Sequence, residues 1–179
     1  MSQPTLLTIS GSLRKGSYNR MLLKEAAHSF GPASVAEADL NLPLYDGDLE
    51  AAEGIPAPVQ ALADQIKTAD AIVISSPEYN KGIPGVLKNA LDWISRVDGA
   101  VLKDKPTVVV SAAAGRTGGE TAQFMVLHCL TQHQAHLLPG PAVLVAGAGD
   151  EFDDSGALTN DRYKATLDMR MQALRAAAS

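Results

Sequence analysis

Short, continuously apolar segments alternate with helical patterns along almost the whole chain, and no other feature restricts its fold as much. Residues 6–10, 35–38, 71–75, 107–112 and 142–146 read as strands. They are rich in Val, Ile and Leu on both side-chain faces, as strands covered on both sides require. Between them, residues 18–30, 59–67, 84–96, 119–136 and 160–178 carry helical spacing. In the second of these helices Val59, Leu62, Ala63 and Ile66 fall at i, i+3, i+4 and i+7. Pro84 suits the first turn of a helix, where its missing N–H costs nothing. Five strands interleaved with five helices specify an α/β fold, a doubly wound sandwich around a five-stranded parallel sheet. Residues 39–58 are acidic and contain Pro and Gly, so they read as a surface loop with room for a short helical turn. No repeat, low-complexity stretch or linker interrupts the pattern, and a single domain over residues 1–179 is expected.

Charge and composition remove several function classes. Fifteen Lys and Arg stand against 20 Asp and Glu, a net charge of −5, which argues against general nucleic-acid binding. The one cysteine, Cys129, excludes an internal disulfide framework and a cysteine-rich zinc module. No apolar run approaches the roughly 18 residues that a membrane helix needs, so no membrane partner is expected. Residues 1–5 lack a basic segment followed by a long apolar stretch, and a cytoplasmic location is the expectation.

In such sheets ligands bind beyond the carboxyl ends of the strands, which singles out three loops. The first, SGSLRKGSYN (residues 10–19), leaves a strand and enters a helix, so its N–H groups and the helix dipole favour an anion. Ser12, Ser17 and Asn19 add short polar groups, and Arg14 adds a fork suited to phosphate. The first 24 residues hold Arg14, Lys15, Arg20 and Lys24 and no acidic residue, although the protein is acidic overall. Leu13 breaks the dinucleotide fingerprint. Gly11 and Gly16 have the P-loop spacing, but Ser17 and Tyr18 follow where that motif needs Lys and Ser or Thr. A monophosphate held by hydroxyls, backbone and one arginine remains. The second loop, SSPEYNKGIPG (residues 75–85), is stiffened by Pro77 and Pro84. Tyr79 offers a planar surface and Gly82 allows close approach, which suits a flat heteroaromatic ligand. The third, AAGRTGG (residues 113–119), is small enough to admit a ligand edge and is equally readable as a flexible turn.

Three segments, GSLRKGSYNR (residues 11–20), LPLYDGDLEAAEGIP (residues 42–56) and SPEYNKGIPGVLKNALDWISR (residues 76–96), resemble the NAD(P)H-dependent FMN reductases of the flavodoxin-like fold. The similarity is greatest to the chromate or quinone reductase branch and covers most of the chain, weakening after about residue 145. The resemblance implies that Ser12, Arg14, Ser17, Tyr18 and Asn19 hold the FMN phosphate. It implies that Pro77, Glu78, Tyr79 and Asn80 lie along the ribityl chain and isoalloxazine, and that Ala113 and Gly115 meet the ring edge. Relatives carry a serine near position 113, so Ala113 would contribute backbone alone. FMN as cofactor, NADPH or NADH as co-substrate, a small-molecule electron acceptor, and a homodimer or homotetramer follow from the same resemblance. The acceptors it implies are quinones, flavins, azo compounds and metal oxyanions such as chromate. The chemistry would be the flavin's, so no side chain is named as catalytic. Two other classes fit the loops less well: an electron carrier like flavodoxin without its own nicotinamide oxidation, and a non-redox protein binding another phosphorylated ligand.

Other residues read more simply. Cys129, His133 and His136 would share one helical face at i, i+4 and i+7, better explained by packing or a subunit contact than by zinc, which needs a fourth ligand. Trp93 belongs to a core or interface. Asp150, Glu151, Asp153 and Asp154 lack the alternating spacing of a calcium loop and read as a solvated turn.

Overall fold

A computed structural model describes residues 3–178. The parallel sheet is built from β1 (Thr5–Ser10), β2 (Ser34–Ala38), β3 (Ala71–Ser75) and β4 (Pro106–Ala112), with two short segments, β5 (His136–Leu137) and β6 (Leu144–Val145), both paired with β4. Strand order is β2-β1-β3-β4-β5, so the chain turns back on itself between β1 and β3. That point is the switch at which open α/β sheets form their ligand crevice.

Helices cover both faces. α1 (Tyr18–Phe30) and α6 (Asp161–Ala177) pack on one side through Leu22, Leu23, Ala26, Leu167, Met171 and Leu174. On the other side lie α3 (Ala57–Thr68), α4 (Gly85–Ile94) and α5 (Glu120–Gln132), which bury Val59, Leu62, Leu87, Ala90, Val126 and Leu130; α2 (Gly47–Glu53) has no buried residue. Strand alternation divides the sheet's side chains between these two layers: Leu6, Val73 and Val108 face α1 and α6, while Leu7, Ile72 and Val109 face the others.

The acidic segment contains the expected helical turn, α2, started by Asp46, whose carboxylate accepts the Asp48 N–H at 2.9 Å. The segment is strapped to α4. The Pro43 carbonyl accepts from Asn89 Nδ2 at 2.9 Å and from the Trp93 indole at 2.8 Å, and Arg96 Nε reaches both Glu50 oxygens at 3.0 Å. Trp93 is fully buried and meets the Tyr45 ring edge-on, which places it in the core.

Two boundaries differ from the sequence reading. The helix expected to run to residue 136 stops at Gln132. There Gln134 adopts a left-handed conformation (φ 55°), its N–H bonds the Thr131 carbonyl, and the Ala135 N–H bonds the Leu130 carbonyl. This is a Schellman stop, usually signalled by glycine and here made by glutamine. Of the final strand, expected over residues 142–146, only Leu144–Val145 (β6) is formed, and a separate short segment, β5 (His136–Leu137), pairs with β4 ahead of it. Pro139 and Pro141 lie between the two segments and cannot donate to a ladder.

The edge formed by β6 depends on a glycine. A Cβ on Gly118 (φ 62°) would lie 2.6 Å from the Leu144 carbonyl carbon. Neither backbone can retreat, because Leu144 is paired with Ser111 of β4. Gly118→Ala is therefore expected to cost about 1–3 kcal/mol, read as a lower denaturant midpoint at constant m.

Candidate active site

The loops that follow β1, β3 and β4 emerge side by side because the strands are paired up to their carboxyl ends. Ser10 is in register with Ser75, and Ser75 with Val110. The pairing continues past the strands: Gly11 N–H donates to the Ser75 carbonyl at 2.8 Å, and Ser76 N–H to the Val110 carbonyl at 3.0 Å. A Cβ on Gly11 would come within 3.1 Å of the Pro77 ring, so glycine sets how closely the first two loops approach.

A cleft of about 330 Å³ opens among the three loops. It is lined by nine of the residues singled out from sequence: Ser12, Arg14, Ser17, Tyr18, Asn19, Pro77, Glu78, Tyr79 and Ala113. Ala112 and Ala114 also line it; alanine side chains carry no chemical signal by which sequence reasoning could have found them. Asn80 and Gly115 are exposed and lie outside this lining.

The first loop is arranged as an anion cradle. Ser17 caps α1 by accepting the Asn19 N–H at 3.2 Å, and Ser12 Oγ accepts the Arg14 N–H at 3.4 Å. Ser10 Oγ accepts the Ser12 N–H and donates to the Ser12 carbonyl, which tightens the turn. The N–H groups of Leu13, Lys15, Gly16 and Tyr18 have no hydrogen-bond partner among the described residues. Arg14 Nη2 donates to the Gly16 carbonyl at 3.0 Å, and its guanidinium lies 5.9 Å from the centre of the Tyr18 ring. Tyr18 in turn stacks on Phe152 at 5.8 Å, a support from a distant segment that local sequence patterns do not reveal. Free N–H donors, two short hydroxyls and an arginine at a helix start fit the phosphate of FMN.

Asn19 holds the cleft together from beneath. Its buried amide donates to the Ala112 carbonyl at 2.8 Å and accepts from the Ala112 N–H at 3.1 Å and the Ser75 hydroxyl at 2.8 Å. One side chain thus joins the start of α1 to the ends of β3 and β4.

The second loop contains a tight turn. Asn80 (φ 51°) and Lys81 (φ 64°) are both left-handed, and Tyr79 and Gly82 exchange backbone hydrogen bonds at 3.2 and 3.0 Å. Two positive φ values at the centre define a type I′ turn. It presents Tyr79, 53% exposed, at the cleft rim. Glu78 faces inward. Its Oε2 accepts N–H bonds from Thr121 and Ala122, and its Oε1 pairs with Lys81 at 3.0 Å. Burial pushes the Glu78 carboxyl upward, but bonds from Lys81, Ala122 and Thr121 outweigh it and hold the group below the ordinary glutamate range. The third loop is tightly packed only at its end, where a Cβ on Gly119 (φ 90°) would fall 2.1 Å from Ser111 Oγ, while Ala114, Gly115 and Arg116 are exposed. Its alanines and Gly115 present mainly backbone.

The helical face proposed for Cys129, His133 and His136 is broken by the stop at Gln132, which sends exposed His136 into β5. Burial pushes the His133 imidazole below its usual value and Lys88 adds to this, while Asp92 opposes it. The folded state therefore favours neutral His133. Its contribution to stability is full above the unfolded value of about 6.5 and is lost as pH falls below it toward the depressed folded value. Thermal midpoints measured from pH 8 to 5 should fall less steeply for His133→Gln than for the parent.

Removing the Asn19 amide should be costlier. Asn19→Ala leaves the Ala112 N–H and carbonyl and the Ser75 hydroxyl without partners, an expected loss of about 2–4 kcal/mol in urea unfolding.

Comparison with known proteins gives the family and the fold. A family profile described as NADPH-dependent FMN reductase matches residues 4–150. An NAD(P)H-dependent FMN reductase of Pseudomonas aeruginosa is 40% identical over 171 residues, covering 94% of this chain and 92% of its own. A quinone reductase of Escherichia coli is 41% identical over 140 residues, 76% of this chain and 74% of its own. Among solved structures, the flavoenzyme NAD(P)H:(acceptor) oxidoreductase FerB from Paracoccus denitrificans superposes with a TM-score of 0.87 at 29% identity, covering 98% of this chain and 97% of that one. With a matching profile, close relatives over most of its length and a flavodoxin-like sheet, the chain belongs to the NADPH-dependent FMN reductase family.

Proposed function

We propose that the whole chain acts as one FMN-binding unit that oxidises NADPH or NADH and reduces quinones, with flavins, azo compounds and metal oxyanions such as chromate as further acceptors. FMN, when bound, would supply the redox chemistry, a two-electron exchange between reduced nicotinamide and the acceptor. Balanced for a quinone, NAD(P)H, one proton and the quinone yield NAD(P)⁺ and the hydroquinone.

The observation that carries this reading is the set of four unpartnered N–H groups at Leu13, Lys15, Gly16 and Tyr18, beside Ser12, Ser17 and Arg14. They provide a phosphate site without an acidic residue in the first loop. Pro77, Tyr79 and the Glu78 backbone form one wall for the ribityl chain and ring, with Asn80 at the turn's apex. Ala112, Ala113, Ala114 and Gly115 form the opposite edge through backbone. Asn19 contributes by fixing both walls. No side chain in the cleft is required as an acid or nucleophile, so the protein's part is position and charge.

Copies of the chain are proposed to meet at the exposed apolar surface of α5, where Phe124 is 64% exposed and Met125 lies beside Gly82 of the second loop. A homodimer or homotetramer built there would place the cleft near the interface. No helix among the described residues is long and apolar enough to cross a membrane, and a cytoplasmic setting is proposed with it.

Purified protein should carry or take up a chromophore absorbing near ~450 nm that bleaches when NADPH or NADH is added without oxygen. Colour without bleaching would identify an electron carrier, and failure to bind FMN would end the proposal. Arg14→Ala should weaken FMN binding by about 1.5–3 kcal/mol in titration, and an unchanged affinity would remove Arg14 from the phosphate site.

A further inference from the structure

We propose that Glu78 is a positioning residue whose side chain, rather than touching the flavin, clamps the second loop to the start of α5 and so sets one wall of the cleft. This rests on the FMN reading for its purpose, but the clamp itself is a property of the protein alone.

α5 begins without a cap of its own. Its N-cap position is Gly119, which has no side chain to offer the free N–H groups of the first turn. Those of Thr121 and Ala122, the second and third helical positions, are the ones a serine or aspartate cap would normally satisfy. Glu78 satisfies them instead from 43 residues upstream, with one oxygen at 3.0 Å from Thr121 N and 3.3 Å from Ala122 N. A negative charge at that end is also favoured by the helix dipole. The second oxygen takes Lys81 at 3.0 Å, and the Glu78 side chain is only 10% exposed. Both oxygens are therefore directed at the protein.

The anchor at the other end is rigid. Gly118 abuts the backbone of Leu144, and Gly119 abuts Ser111, whose hydroxyl donates to the Ser76 carbonyl at 2.6 Å. The start of α5 cannot shift without disturbing β4 and β6. What it holds is an exposed turn whose own closure is the Tyr79–Gly82 backbone pair: Asn80 and Lys81 are exposed and left-handed, a conformation that Asn tolerates and that is unfavourable for Lys81. The Lys81 ion pair closes that turn on one side and the Thr121 and Ala122 bonds fix it on the other. The placement of Pro77 and Tyr79 against a flat ligand follows.

Two conservative changes separate reach from charge. Glu78→Gln keeps the length and a carbonyl acceptor but removes the charge; Glu78→Asp keeps the charge but is one methylene too short. Amide hydrogen exchange of the flavin-free protein at Thr121, Ala122 and Gly82 is the primary readout. In Glu78→Ala and Glu78→Asp these amides should exchange at least ~10-fold faster, and Glu78→Gln, whose carbonyl oxygen still accepts from α5 but whose NH2 cannot accept from Lys81, should recover most of the protection at Thr121 and Ala122 and not at Gly82. With FMN present, visible circular dichroism of the bound flavin should weaken in the Ala and Asp variants and be restored by Gln. Should Glu78→Ala not fold, the Asp and Gln pair carries the comparison. Unchanged exchange in Glu78→Asp, or exchange at Thr121 and Ala122 in Glu78→Gln as fast as in Glu78→Asp, overturns the clamp. Parent protein that takes up no FMN would end the functional reading and leave the exchange experiment intact.

Discussion

The buried amide of Asn19 is the contact on which the site depends. Its three hydrogen bonds to Ala112 and Ser75 bring the start of α1, the end of β3 and the end of β4 onto one side chain. In a low-dielectric interior each such bond adds about 1 kcal/mol net, but leaving a partner unmade costs about 1–3 kcal/mol, so the junction is all or nothing. Because α1 is fixed to the strand ends, the first loop cannot move independently of the second and third. The same geometry explains why Asn19 lines the cleft while its side chain turns away from it. Hydrogen bonds from Gly11 to Ser75 and from Ser76 to Val110 extend the sheet a residue further and stiffen the crevice.

Charge in the cleft is as carefully placed as shape. A protein of net charge −5 repels a phosphate dianion over most of its surface, and the acid-free first 24 residues provide the exception. Glu78, the acidic residue in the lining, would oppose an anion if its charge were free. Two N–H donors at the start of α5 and the Lys81 ammonium absorb that charge. A carboxylate can thus sit beside an anion site at little electrostatic cost.

How much of this was legible in the sequence follows from the range of the interactions. Strand and helix patterns are local, so the layers, the parallel sheet and the three loops could be read directly. The first loop's free N–H groups and short hydroxyls are local too, all within residues 10–19. Features made by distant partners were hidden: Asn19 meets Ala112 93 residues away, Glu78 meets Thr121 43 away, and Tyr18 stacks on Phe152. The two misplaced boundaries have a different origin. Gln134 occupies a conformation that composition assigns to glycine, and an apolar stretch at residues 142–146 conceals that Pro139 and Pro141 have already interrupted the edge strand. In Ala112 and Ala114 the side chain is silent because backbone is what the cleft uses.

The three walls also differ in how they are held. Gly118 and Gly119 lock the third loop against neighbouring backbone and side chain, and Asn19 locks the first to the sheet. The second loop has no comparable packing at its tip, where Tyr79, Asn80 and Lys81 are all exposed. Its two left-handed residues would relax toward extended backbone if unrestrained, so its shape must be imposed by bonds rather than by burial. The backbone pair between Tyr79 and Gly82 and the two-sided engagement of Glu78 do this without filling the space above the cleft. Tyr79 is thereby held at the rim of the cleft by bonds made on either side of it, although the ring itself is half exposed.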